Sequence, residues 1–98
     1  MTLRFTTTVQ GDVATLAVSG QIDAATASEF RRAVASASDE APQLTIDLTA
    51  VDYLLSAGVS VLYEFVDQQP QLVIRADGIV AQVLSVAGLD EAFSVRTT

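Results

Sequence analysis

Leu44-Thr45-Ile46-Asp47-Leu48, continued by Val51-Asp52-Tyr53-Leu54-Leu55-Ser56-Ala57-Gly58-Val59, reads as a buried strand that runs into a small-residue turn and then a helix. The first N–H groups of a helix have no partner within it, and the helix dipole is positive there. Ser56 therefore has two readings: an N-cap hydroxyl, or a place where a phosphate is tolerated. Leu44, Ile46 and Leu48 alternate as strand residues, and Val59, Leu62, Tyr63 and Val66 form the stripe of a helix that starts at Ala57 or Gly58 and runs to Asp67 before Pro70.

Toward the N-terminus, Leu3, Phe5, Thr7 and Val9 alternate with polar residues up to a turn at Gln10-Gly11-Asp12. A second strand follows over Val13 to Val18, with Ala14, Leu16 and Val18 on one face, so these segments form a hairpin. Thr26-Ala27-Ser28-Glu29 has capping-box spacing ahead of Ala27, Phe30, Val34 and Ala37, which predicts a helix from Ala25 to Ser38. Toward the C-terminus, Leu72-Val73-Ile74 reads as a fully apolar strand in a sheet covered on both faces. Asp77-Gly78 leads into a helix over Ile79 to Ala87, with Gly88 as its left-handed cap residue. Phe93-Ser94-Val95 adds an edge strand. The order β-β-α-β-α-β-α, with a last β, is that of a single small α/β domain with a mixed, mostly parallel sheet and right-handed crossovers.

The chain has 98 residues, half of them apolar, which is material for one compact core. Acidic residues outnumber basic ones 12 to 5, for a net charge of −7, and every basic residue is an arginine. The arginines are dispersed apart from Arg31-Arg32, so nucleic-acid binding is not expected. Cysteine, histidine and lysine are absent, which removes thiolate, imidazole and amine chemistry together with the usual zinc ligands. No catalytic residue, cofactor or metal is assigned, and an enzyme is not expected. No apolar run is long enough to cross a bilayer and no leader pattern is present, so a cytoplasmic location without membrane insertion is expected.

Three segments together resemble the STAS domain family, which includes bacterial anti-sigma-factor antagonists. Gly20-Gln21-Ile22-Asp23-Ala24-Ala25-Thr26 is similar to that family's Gly-x-Leu/Ile-Asp-x-x-Thr approach to its first helix, Leu44 to Gly58 to its strand and Ser-x-Gly turn, and Ala87 to Val95 to its closing Gly-Leu-Asp-x-x-Phe-x-Val. The resemblance implies a partner-switching module in transcription regulation that binds a kinase-like anti-sigma factor through Asp23, Leu55, Ser56, Ala57, Gly58 and Val59. In the family the turn reads Asp-Ser-Ser/Thr-Gly and its second hydroxyl is phosphorylated. Here the phosphoacceptor position is Ala57 and the acidic position is Leu55, which leaves Ser56 as the candidate phosphorylation site. Ser-Ala-Gly at the turn also resembles STAS subunits of ABC-type lipid-transport complexes, whose partner is a transporter ATPase. A self-associating scaffold that uses an edge strand is a third reading.

For individual residues the plainer readings stand beside these. Asp23 is a turn or cap carboxylate. Asp47 and Asp52 bracket the exit of the third strand and orient the turn, and Gly58 either fixes the backbone of the loop or marks a place where a partner approaches closely.

Overall fold

The computed structural model describes residues 3–65, 72–89 and 94–96, the last three by backbone alone. The elements in order are β1 (Arg4–Gln10), β2 (Val13–Ile22), α1 (Ala27–Ser38), β3 (Gln43–Leu54), α2 (Ser56–Glu64), β4 (Val73–Arg75), α3 (Gly78–Val86) and β5 (Ser94–Arg96). They form a five-stranded sheet in the order β1-β2-β3-β4-β5. The β1–β2 pair is antiparallel and the other pairs are parallel. The expected α/β order is the observed one, and β5 supplies the expected last strand; Phe93, placed in it by the sequence, lies outside the described residues, as do Val66, Asp67 and Pro70.

Gly11 has φ 63° at the first central position of the two-residue hairpin loop, the backbone that a type II′ turn requires and glycine supplies. Beyond the hairpin, each parallel crossover joins neighbouring strands in the same direction along the sheet. Right-handed crossovers then put the connecting helices on one face. Burial agrees: Ala14, Leu16 and Val18 of β2, Leu44, Ile46 and Leu48 of β3 and Ile74 of β4 are buried under the helices with Phe30, Val34, Leu62 and Leu84. Between them Thr15, Ala17, Thr45, Asp47, Val73 and Arg75 are half-buried or exposed. The sheet is therefore covered on one face among the described residues, not on two as the apolar run at Leu72 to Ile74 suggested. Leu72 and Ile74 point into the core while Val73 lies on the open face.

Several boundaries differ from the expected ones. β3 reaches Leu54 rather than ending at Leu48, because its register against β2 shifts twice, between Ala17 and Ser19 and between Gly20 and Gln21. At each shift β3 carries one residue more than β2, which bends the strand and breaks the two-residue alternation. α1 begins at Ala27, and Thr26 makes no side-chain cap bond. The Thr26 backbone is helical (φ −110°, ψ −4°), whereas a capping hydroxyl needs an extended one, so the capping box does not form. At the other end of the third helix, Gly88 has φ 79° and follows the C-cap Ala87, as its sequence position predicts. On the outer surface Arg31 of α1 forks onto Glu64 of α2, with Nη2 2.8 Å from Oε2. Both side chains are exposed, so the pair contributes little.

Candidate functional site

The carboxyl ends of β2 and β3 lie side by side, and the chain leaves each by a short connection to a helix. In open α/β sheets this end is the usual place for binding. The Leu55 N–H donates to the Ile22 carbonyl at 2.9 Å, which ties the connection after β3 to the one after β2 and brings Asp23 and Leu55 onto the same end of the sheet.

Asp23 holds the first connection in shape. Its Oδ1 accepts the Ala25 N–H at 3.0 Å and the Thr26 N–H at 3.2 Å, the local turn that a short carboxylate forms readily. Thr26, which is buried, closes the loop from the other side: its hydroxyl donates to the Gln21 carbonyl at 2.9 Å and accepts the Asp23 N–H at 3.0 Å. Nearby, the Tyr53 hydroxyl donates to Gln21 Oε1 at 2.8 Å. The turn or cap reading of Asp23 is the observed one, and the supporting roles of Thr26, Gln21 and Tyr53 had no signal in the local pattern because they depend on strands meeting across the sheet.

In the second connection the N-cap is Leu55, with φ −98° and ψ 175°, and it supplies no side-chain cap bond. Ser56 is the first helical residue, which corrects its reading as the N-cap, and α2 starts one residue earlier than the expected Ala57. The Leu55 carbonyl accepts the N–H groups of Gly58 at 2.9 Å and Val59 at 3.1 Å. Leu55 is 50% exposed, Ser56 is exposed, and Ala57 and Val59 are half-buried. Gly58 is buried against the strand ends: a Cβ there would meet Ile22 Cγ2 at 2.3 Å and Leu54 Cδ1 at 2.5 Å. The glycine is thus required by the chain's own packing: the groups that approach it are the Ile22 and Leu54 side chains, not those of a partner.

Val59 also lines an apolar groove of about 610 Å³ between α2 and α3, with Ser56 at its mouth and Ile79, Val83 and Val86 on the other side. Ile79 and Val86 are among the exposed large apolar side chains. This groove was not legible because each helix taken alone reads as an ordinary amphipathic stripe. The Tyr63 hydroxyl, donating to the Ala87 carbonyl, ties α2 to the end of α3.

Asp47 is not at the strand exit. It lies within β3 on the open face, where Oδ1 accepts the Thr49 N–H at 3.0 Å and the Thr49 hydroxyl at 2.7 Å, and Oδ2 is 3.9 Å from Arg75 Nη1. Asp52 is an exposed residue of β3. Neither carboxylate shapes the turn.

A small mixed sheet with helices on one face and a stitched pair of connections at its carboxyl end defines a small α/β domain. The family profile described as "Mlab, STAS domain" matches residues 5–97. The anti-sigma-F factor antagonist RsfB of Mycobacterium tuberculosis is 33% identical over 91 residues, covering 88% of this chain and 75% of RsfB. The chain belongs to the STAS domain family. Among solved structures, an anti-sigma factor antagonist from Mycobacterium paratuberculosis is similar with a TM-score of 0.90 and 27% identity, over 99% of this chain and 87% of that one. The anti-sigma factor antagonist SpoIIAA in its unphosphorylated form shares the fold, with a TM-score of 0.75 at 14% identity over 96% of this chain and 89% of that one. No helix among the described residues is long and apolar enough to cross a membrane.

Proposed function

We propose that this chain is a regulatory protein-binding module, an antagonist that captures a kinase-like anti-sigma factor. Its docking surface combines Asp23, Leu55, Ser56, Ala57 and Val59, while Gly58 contributes through the backbone path it permits. The observation that carries this reading is the half-exposed Leu55 on a connection fixed to β2 by its own N–H, in a chain 33% identical to an anti-sigma-F factor antagonist. An apolar side chain held at a fixed site is ready to be desolvated by a partner at small entropic cost. The family resemblance supplies the partner class.

In this reading the usual phosphoacceptor is absent, since Ala57 carries no oxygen. Ser56 is the remaining hydroxyl of the turn, exposed, and its side chain makes no hydrogen bond among the described residues. A kinase-like partner would transfer the γ-phosphoryl group of ATP to Ser56 Oγ, releasing ADP and the hydroxyl proton. The product would place about two negative charges beside the apolar Leu55 surface and at the start of α2, opposing a partner that had docked there. Incubation with a kinase-type anti-sigma factor and ATP tests this: label on the wild type that is lost in Ser56→Ala supports it, whereas no label, or undiminished label in Ser56→Ala, removes it.

Ser56-Ala57-Gly58 favours a second reading, a STAS subunit that binds the ATPase of an ABC-type lipid-transport complex. Affinity capture from the source cell separates the two. Recovery of a transporter ATPase without a kinase-like protein overturns the first, and recovery of an anti-sigma factor whose binding is weakened by Leu55→Asp supports it.

A further inference from the structure

We propose that β1 is a self-association edge, pairing antiparallel with β1 of a second copy of this chain about a two-fold axis through Thr7. The hairpin geometry fixes which backbone groups are free. Gln10 and Val13 flank the Gly11-Asp12 loop, and the pairing runs without a break from Gln10↔Val13 to Arg4↔Ser19. In an antiparallel ladder the pairs that exchange hydrogen bonds alternate with those that do not, beginning with the bonded pair at a two-residue turn. Gln10, Thr8, Thr6 and Arg4 therefore direct their backbone groups at β2, and Phe5, Thr7 and Val9 direct theirs outward.

Sheet edges in natural proteins are blunted by lysine, proline, bulges, short length or a covering element. β1 is seven residues long, is unbroken in register, contains no proline, and carries one charge, Arg4, at its end. Three successive threonines and Val9 give it high β-propensity. The opposite edge, β5, is only three residues.

The edge is also self-complementary. With Thr7 opposite the second copy's Thr7, Phe5 falls opposite Val9, so all of the outward-facing residues of β1 meet outward-facing residues and each pair exchanges both bonds. An odd shift would set free groups against groups already used by β2. A two-residue shift would leave Val9 opposite Leu3 or Phe5 opposite Gly11, outside the strand. In the centred register Arg4 lies opposite Gln10, so no like charges are opposed.

Side chains agree with this pairing. Phe5, Thr7 and Val9 share the helix-covered side of the sheet, and Val9 is 46% exposed there. A hollow of about 410 Å³ beside Phe5, bounded by Leu3, Glu29, Arg32 and Ala33, lies where the second copy's Val9 would arrive. The mutual repulsion of two chains of net charge −7 opposes contact at low ionic strength and is screened by salt, so association strengthens as salt rises.

Sedimentation equilibrium at moderate salt, over a series reaching about 1 mM, the weak end of specific association, tests the proposal. The wild type is expected to rise from 10.3 kDa toward twice that mass. Thr7→Pro, which removes an N–H that β2 does not use, and Val9→Lys, which sets a charge opposite Phe5, are expected to stay monomeric with a circular dichroism spectrum unchanged from the wild type. The native chain has no cysteine, so Thr7→Cys should form a disulfide-linked dimer on mild oxidation faster than Thr6→Cys or Val86→Cys. A wild type that stays at 10.3 kDa throughout, a Val9→Lys variant that associates like the wild type, or faster linkage of Thr6→Cys, which marks a shifted register, would overturn it.

Discussion

A methyl group added at Gly58 would stand 2.3 Å from Ile22 Cγ2 and 2.5 Å from Leu54 Cδ1, and both neighbours are buried side chains with little room to yield. Gly58→Ala is therefore expected to lower stability by about 1–3 kcal/mol, the usual range for overpacking, despite the better helix propensity of alanine. A denaturant melt checks it, and a stability equal to or above wild type would mean the helix start is free to move. Asp47 makes a second prediction. Burial pushes its carboxyl up, but the Thr49 hydroxyl and N–H and the Arg75 guanidinium outweigh burial and hold it below its ordinary value. Because the folded value is the lower one, folding favours the carboxylate. That stabilisation is complete above about pH 4, the unfolded aspartate range, and is lost as pH falls through the folded value. Asp47→Asn should accordingly flatten the fall in melting temperature on the acid side of about pH 4, and equal acid slopes in the two proteins would remove Asp47 as a contributor. At this scale Asp23 was legible because a carboxylate next to a helix start makes local bonds. Thr26 was not, because its hydroxyl turns back to the Gln21 carbonyl and the Asp23 N–H instead of forward to the first turn of the helix.

The α2 segment shows where element reading stops. Of its expected stripe Leu62 is buried, Val59 half-buried and Tyr63 exposed, while the buried Val61 lay outside it, and its first residue was misplaced by the strand before it. Leu44, Ile46 and Leu48 alternate cleanly; after Leu48 the buried positions are Val51 and Leu54, a spacing of three that no strand template contains. The two register shifts against β2 cause this, and they are a property of the pair rather than of either strand. The same bent exit puts Leu55 at the N-cap, half-exposed and in extended backbone suited to a capping side chain, with none supplied. Leu55→Asp should then move stability and binding in opposite directions. A carboxylate there can accept the first helical N–H groups and add about 1 kcal/mol, while removing an apolar anchor from the proposed docking surface weakens partner binding by about tenfold, or 1.4 kcal/mol. Thermal melts and titration calorimetry with the captured partner read the two effects separately. A loss of stability would show Leu55 to be a packing residue, and unchanged affinity would place the docking surface elsewhere.

At the scale of the whole molecule, the order β1-β2-β3-β4-β5 and the alternation of burial leave one face of the sheet to carry the core. The strand and helix order was legible because period-two and helical patterns alternate along the chain. The uncovered face was not, because a run such as Leu72-Val73-Ile74 is equally apolar whether one or both faces are covered, and only its neighbours decide. The difference has measurable consequences. Phe30, on the inner side of α1, has no exposed surface, and truncating a buried phenylalanine costs about 3–5 kcal/mol. Against a total stability of about 5–15 kcal/mol for a domain, that is a large share, and Phe30→Ala should lower the melting temperature by more than about 12 °C at this chain length. Ala17, exposed in the middle of β2 and opposite Asp47 in register, looks the other way. Ala17→Thr adds two heavy atoms and a β-branch that suits a strand, and on an open face it should change stability by no more than about 0.5 kcal/mol. Were a second layer packed there, the added atoms would overpack it and cost about 1–3 kcal/mol. Paired melts of the two variants therefore decide the layering: a large loss for Phe30→Ala with Ala17→Thr near wild type is the signature of a core on one face, and a comparable loss in both would refute it.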